Sequence, residues 1–384
     1  MNTQNAPVHI RLWHREFWMM VVANLLLSAS VTLLIPTLPQ WLLYEDGLSA
    51  EETGGAMGAF ALGLFLLGGL CSFLVQRYRR NMVCVWAIAF LALTVVLPVY
   101  WHPVPFGYVV LLRLLQGAAF GLASQVFSST LIIDTCESFQ RTEANHSVTW
   151  FGRFALSIGP MAGLLLYGLG GYRVVAFVSL GCMAVAVLLI LLVHFPFRVP
   201  ADQLHVWSLD RFFLPQGWPL FVNLLLITVA AGMLLSLPLD AHFYALLMIG
   251  FLLALLAQRF VFRDAELKSE VVSGLLLMAS AQLIMIFSPQ SPLLSPLLGL
   301  GLGIVGARFL LFFIKLSHHC QRGTAQSTFL LAWESGLALG LGLGYGLFDG
   351  RHDALKHWSV LLVIVAWTLY NFCLHNWFVK HKNR

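Results

Sequence analysis

The stretch Met82-VCVWAIAFLALTVVLPVY-Trp101 runs for 20 residues without a formal charge. About 20 apolar residues of helix are what a bilayer's hydrocarbon core requires of a segment that crosses it. Val174 to Phe195 reads the same way. Working outward from these two, apolar runs predict twelve spans, at 17–43, 53–75, 82–101, 105–132, 146–169, 174–195, 217–237, 240–258, 271–288, 293–315, 325–348 and 357–379. Over 384 residues this leaves about 32 per span, loop included, too few for a soluble catalytic domain. Composition agrees: 59% of residues are hydrophobic and 10% charged, with a mean hydropathy of +0.83.

The basic residues set the expected orientation, because cytoplasmic loops retain Lys and Arg. With both termini inside, sixteen of the 22 fall on the cytoplasmic side, from Arg11 and Arg15 through Arg77, Arg79, Arg80, Arg198 and Arg263 to Arg384. Arg173, Arg351 and Lys356 fall outside, where Glu45, Asp46, Glu51 and Glu52 cluster. The net charge of +5 follows from that bias and needs no nucleic-acid partner. Arg11 and Arg15 before a long apolar run suggest a secretory signal. The run is too long and lacks a small-x-small cleavage site, so it is expected to stay as the first span. The six cysteines form no disulfide framework or metal spacing.

The two halves echo each other. Asn24-Leu25-Leu26-Leu27 recurs as Asn223-Leu224-Leu225-Leu226, and Trp150 to Gly159 is mirrored by Trp333 to Gly342. Repeated helical halves are a mark of transporters. The segment 196–216, with its prolines and mixed charges, reads as the connection between them.

At this point the chain resembles the major facilitator superfamily over essentially its full length. Arg113-Leu-Leu-Gln116-Gly117 is similar to the family's R-x-x-Q-G motif. Gly159-Pro160 with Gly163, then Gly171-Tyr172-Arg173 with Phe177, resembles patterns of its proton-coupled exporters. The loop after span two keeps Leu74, Arg77 and Arg80 of a further family motif, with Gln76 in place of its acidic residue. The resemblance implies that Arg77, Arg80, Gly159 and Pro160 serve conformational change. It also implies that spans one, four, seven and ten surround a central cavity, that spans two and eleven, and five and eight, meet between the halves, and that Arg113 takes part in coupling. Gly336, Gly340 and Gly344 in span eleven, and Gly54 and Gly58 in span two, would give smooth faces for such a meeting or for static packing.

Charged side chains within the membrane cost roughly 2.5–3.5 kcal/mol each at the centre, so those that persist line cavities or pair. Four stand out: Arg113, Arg153, Arg308 and Glu334. Glu334 is read as the only deep carboxylate, a candidate proton carrier or a permanent partner of an arginine. Arg113 shares a helical stripe with Gln116, Arg153 with Thr149 and Ser157, and Asn24 with Ser28 and Thr32. Three guanidinium groups against one carboxylate favour an anionic or zwitterionic substrate. The expected substrate contacts are Arg153, Arg308, Asn24, Ser28, Gln116, Asn223, Trp150 and Trp333, with Glu334 and Arg113 in proton coupling.

The expected fold is an all-α polytopic membrane protein, twelve helices in two pseudo-symmetric six-helix bundles, 1–195 and 217–384, joined by a cytoplasmic linker at 196–216. The expected activity is secondary transport by alternating access, a proton-coupled export of a small amphipathic or anionic compound in a bacterial-type inner membrane. No phosphate-binding loop points to ATP. Neither cofactor, metal nor nucleic acid is expected, and the chain is expected to act as a monomer, with the substrate, protons and the lipid bilayer as partners. The alternatives are a proton-coupled importer of an organic anion and a polytopic membrane acyltransferase using His318-His319-Cys320.

Overall fold

The structure is a computed structural model that describes residues 11–101, 103–195, 205–262 and 266–383. Arg198, Arg263 and Arg384, and the first part of the 196–216 connection, lie outside the described residues. Among the described residues eleven helices are long and apolar enough to cross a membrane, and the longest, Arg141–Leu192, is 52 residues. Straight, it would measure about 78 Å, more than twice the hydrocarbon core. It is two spans, broken where Gly170 leaves helical geometry and Gly171 takes φ 65°, a left-handed conformation that side chains resist.

The twelve spans are therefore α1 (Arg15–Tyr44), α2 (Ala50–Arg77), α3 (Arg80–Tyr100), α4 (Phe106–Asp134), α5 (141–169), α6 (172–192), α7 (Pro215–Leu235), α8 (Ala241–Phe260), α9 (Leu267–Phe287), α10 (Leu294–Leu316), α11 (Arg322–Leu347) and α12 (His352–His381). Local sequence explains their starts and breaks. Ser49 and Glu52 form a reciprocal capping box at the head of α2. Asp240 accepts from the Phe243 amide at 2.8 Å, so α8 starts cleanly a few residues after α7 ends. Helix α2 tightens into a 3-10 turn at Gly68–Leu70, and α4 carries a π turn at Phe127–Leu131.

Close packing at small residues builds two equivalent halves. Gly159 of α5 meets Thr32 of α1, and Gly163 meets the Leu33 carbonyl. In the second half Gly336 of α11 meets Thr228 of α7, and Gly340 meets the Val229 carbonyl. The hydroxyls follow suit: Thr32 donates to the Ala155 carbonyl at 2.8 Å and Thr228 to that of Ala332 at 3.2 Å. A second pair of contacts repeats in the same way, Gly63 with Gly117 between α2 and α4, and Gly250 with Gly299 between α8 and α10. A methyl group would collide with the threonine side chain at Gly159 and Gly336 and with backbone at the others, so the approach depends on its absence.

Two expectations need correction here. Counted from these anchors, Asn24 does not correspond to Asn223, nor Trp150 to Trp333; the leucine-rich echo is out of register with the packing. Gly336, Gly340 and Gly344 face α7 inside their own half, where Ser236 meets Gly344. The contact between halves is made by Gly342 and Gly346 against Gly54 and Gly58. Helices α2 and α11, and α5 and α8, do pack across the two halves.

Candidate functional site

Arg153 and Glu334 stand at matching depths. Each is twelve residues, or roughly 18 Å, from the start of its helix at the end of the bundle where α1 begins and α12 finishes. Both line one cavity between the halves. Asn24 and Ser28 come from α1, Phe120, Ser124 and Ser128 from α4, Thr149 and Gly152 from α5, and Gln326, Phe329 and Trp333 from α11. A second cavity lies toward the far end, with Thr32 and Ile35 of α1, Phe60 of α2, Arg113 of α4, and Leu337, Ala338 and Leu341 of α11. Glu334 is the residue that the two linings share. Each cavity is about 30 Å³, room for a water or two.

The Arg153 side chain is 2% exposed, and none of its three nitrogens has a hydrogen-bond partner. It is held by ring faces instead, with the guanidinium carbon 4.7 Å from the Trp150 centroid, 5.7 Å from Trp333 and 5.8 Å from Phe329. Gly306 of α10 presses on the same group, 3.0 Å from Nε when a Cβ is placed on it. The planar fork is thus oriented while its donors stay open to an anion. Trp150 and Trp333, expected against the substrate, wrap the arginine.

Arg113 is otherwise occupied. It donates to Gln116 Oε1 at 2.9 Å, Gln116 passes a bond to the Thr94 carbonyl at 3.0 Å, and the guanidinium lies 4.6 Å over Phe60. Gln116 is buried behind Arg113 and lines neither cavity. Glu334 makes no ion pair or hydrogen bond among the described residues, so the permanent partnership with an arginine is not formed.

Arg308 is the clearest correction. It is ion-paired with Glu270 of α9, which is 1% exposed, and it lines neither cavity. A second buried carboxylate thus sits near the start of α9, and Arg308 does not compete for Glu334. Asn223 also lies elsewhere, donating to the Ala366 carbonyl of α12 at 2.9 Å. Asn24 donates to the Val148 carbonyl at 3.3 Å and remains in the lining. Helices α7 and α10 contribute nothing to either lining, since α10 abuts the back of the aromatic cage and α7 is packed on α11.

The halves are tied by hydrogen bonds on the termini side of this site. Gln326 donates to Thr149 at 3.3 Å below it, and Arg322 to Thr142, also at 3.3 Å. Arg80 is ion-paired with Asp134, joining α3 to α4, while Arg77 is exposed. Pro160 is buried beside Gly159 in α5. An acidic group does reach the region left neutral by Gln76: Asp210, from the connection, meets Ser72 of α2 at 3.4 Å and Thr324 of α11 at 3.2 Å. Ser208 N bonds the Gly69 carbonyl at 2.9 Å, and Thr324 and Thr328 accept from the Arg211 and Leu214 amides at 2.9 and 2.8 Å. Burial among these groups lowers the Arg211 pKa.

Known folds resemble this arrangement throughout. The crystal structure of the human organic anion transporter MFSD10 superposes with a TM-score of 0.67 at 16% identity, covering 92% of this chain and 98% of that one. The nucleoside transporter NupG gives 0.63 at 13%, covering 94% and 100%. A bacterial homologue of the iron transporter ferroportin, in an outward-facing state, gives 0.60 at 16%, covering 96% and 99%. No curated protein matches the chain by sequence. The sequence profile of the Major Facilitator Superfamily matches residues 20–341, and with twelve spans in two equivalent halves the chain belongs to that superfamily of membrane transporters.

Proposed function

We propose that this protein is a proton-coupled exporter of a small amphipathic or anionic compound, working by alternating access. The observation that carries the reading is Glu334, a carboxylate without a partner among the described residues that lines two separate cavities, one toward each end of the bundle. A group so placed can exchange a proton with either side as the halves rock. Arg153 faces the same cavity with open donors, and there a carboxylate or phosphate would supply the hydrogen bonds it lacks. Arg113 lines the other cavity together with Glu334, which places a cation on that side of the bundle as well. The halves, 1–195 and 217–384, would move about the connection at 196–216. The excess of Lys and Arg at the termini end supports a cytoplasmic location for both termini, in a bacterial-type inner membrane. MFSD10 is described as an organic anion transporter; at 16% identity that likeness extends to the fold.

The test uses proteoliposomes with a panel of organic anions. Glu334→Gln should abolish accumulation driven by a pH gradient while exchange of substrate across the membrane continues. Accumulation that persists in Glu334→Gln removes the carrier role. On purified protein, Arg153→Ala should weaken anion affinity at least tenfold and Arg153→Lys, which keeps charge but loses the fork, by less. Unchanged affinity would take Arg153 out of the site.

A further inference from the structure

Arg153 and Glu334 line one cavity and carry opposite charge, yet they are not joined. Among the described residues no ion pair or hydrogen bond connects them, and neither the Arg153 nitrogens nor the Glu334 carboxylate has another partner. They are close neighbours all the same. Trp333, the residue before Glu334, is one of the rings that hold the Arg153 guanidinium, 5.7 Å from its centroid. The cavity thus presents a donor fork and an acceptor carboxylate, each lacking its counter-charge. Phe120 and Leu330 add apolar wall to it, and Ser28 and Ser124 add hydroxyls.

The sign of the coupling decides what can fill both. Export driven by protons requires cargo and proton to exclude each other on the carrier, because a carrier that holds both at once moves them in the same direction. An anion on Arg153 alone sets a second negative charge before Glu334 and strengthens its hold on a proton. By linkage the proton then tightens the anion by the same factor, and the two travel together. A cargo that sets a cation against Glu334 reverses the sign. The ammonium favours the ionised carboxylate, expels the proton, and is itself expelled when a proton returns. The fixed groups do not supply that cation: Arg153 and Arg113 are the charged residues that line the cavities with Glu334, and neither is ion-paired with it. The other lining residues from α1, α2, α4, α5 and α11 are neutral, and α7, packed behind α11, holds no charged residue from Trp218 to Leu235.

We propose, resting on the export reading above, that the cargo is a zwitterion, its carboxylate on the Arg153 fork and its ammonium on Glu334, so that cargo and proton compete for one carboxylate. In each cycle the ammonium leaves Glu334, a proton takes its place, and the proton returns in the direction opposite to the cargo. The zwitterion has no net charge, so one positive charge crosses the membrane per cargo exported.

Purified full-length protein in detergent, near neutral pH, would be titrated with glycine, γ-aminobutyrate and ε-aminocaproate, each beside the fatty acid and the alkylamine of the same chain length. At one length the amino acid should bind at least about tenfold tighter than either single-charge analogue, the effect of one charge-assisted hydrogen bond. Its binding should release protons into a weakly buffered medium. Both the release and the advantage over the fatty acid should vanish in Glu334→Gln, while Arg153→Lys should weaken the amino acid and leave the alkylamine unchanged. A fatty acid that binds as tightly as its amino acid, amino-acid binding that releases no protons, or no binding across the series would overturn the proposal. Its failure is separable from failure of the export reading. Accumulation of cargo on a pH gradient that persists in Glu334→Gln sinks the export reading, whereas gradient-driven accumulation of the plain fatty acid by the unaltered protein keeps that reading and sinks the zwitterion alone.

Discussion

The two halves of the molecule share a scaffold and differ in their chemistry. Gly159 on Thr32 has its counterpart in Gly336 on Thr228, and Gly117 on Gly63 in Gly299 on Gly250. Counting from those anchors, Arg153 corresponds to Leu330, Glu334 to Ser157, and Arg113 to Ser295. Leu330 lines the same cavity as an apolar wall, Ser157 bonds the Tyr244 carbonyl at 2.5 Å, and Ser295 that of Phe243, also at 2.5 Å. Symmetry is therefore kept where helices must approach closely and dropped where charge is placed. Rocking of two halves needs two interchangeable bodies, whereas a charged group is needed in only one of them.

That contrast is open to direct attack. The largest effect is expected from moving the acid across the pseudo-symmetry: Glu334→Ser combined with Ser157→Glu keeps a carboxylate in the bundle but removes it from the shared wall of the two cavities. Accumulation in proteoliposomes should be lost as fully as in Glu334→Gln, and recovery in the double variant would show that position is immaterial. Next comes the buried pair in the second half. Glu270→Gln or Arg308→Met alone should lower unfolding stability by about 3–5 kcal/mol, because each leaves an uncompensated charge, whereas the double change should be close to neutral. Thermal unfolding of the purified variants measures this, and a transport defect that survives in a stable double variant would bring Arg308 back into the site. The smallest effect concerns the scaffold. Gly159→Ala and Gly336→Ala should each destabilise by about 1–3 kcal/mol, through collision with Thr32 and Thr228 respectively. The losses should match to within roughly 1 kcal/mol if the halves are packed alike, and Thr32→Ala or Thr228→Ala should recover part of each. A large disparity would break the equivalence.

Much of this was legible in the letters, because a bilayer imposes length and hydropathy on every crossing segment. The twelve spans lie within a few residues of where apolar runs place them, and Arg153, Glu334, Asn24 and Ser28 meet in one cavity. The failures have physical causes. Glu270 sits one position before the expected start of the ninth span, and span edges blur because polar side chains are tolerated there, so its pairing with Arg308 was missed. The glycine spacing in α11 marked a smooth face but could not say which helix it meets, since Gly340 and Gly342 look in different directions from one turn. The echo of Asn24 in Asn223 followed letter identity, while the packing register follows residues small enough for backbones to touch. Asp210 gave no signal, because a charge in a loop is unremarkable until the loop is seen lying across two helices.

The connection between the halves has a thermodynamic consequence. Its residues 208–214 are bonded to α2 through Gly69 and Ser72 and to α11 through Thr324 and Thr328, so parting the helices at that end breaks bonds on one side or the other. At about 1 kcal/mol net for each hydrogen bond, losing the two to α2 would hold the parted form near a few molecules in a hundred. Arg211 sits in this segment at φ 61°, a left-handed geometry costing roughly 1–2 kcal/mol that its neighbours must sustain. Release of the segment relieves that strain and offsets part of the penalty. Under the proposed rocking, the resting balance between the two orientations would be tunable from a loop that lines neither cavity, and it could drift in evolution without altering what is carried.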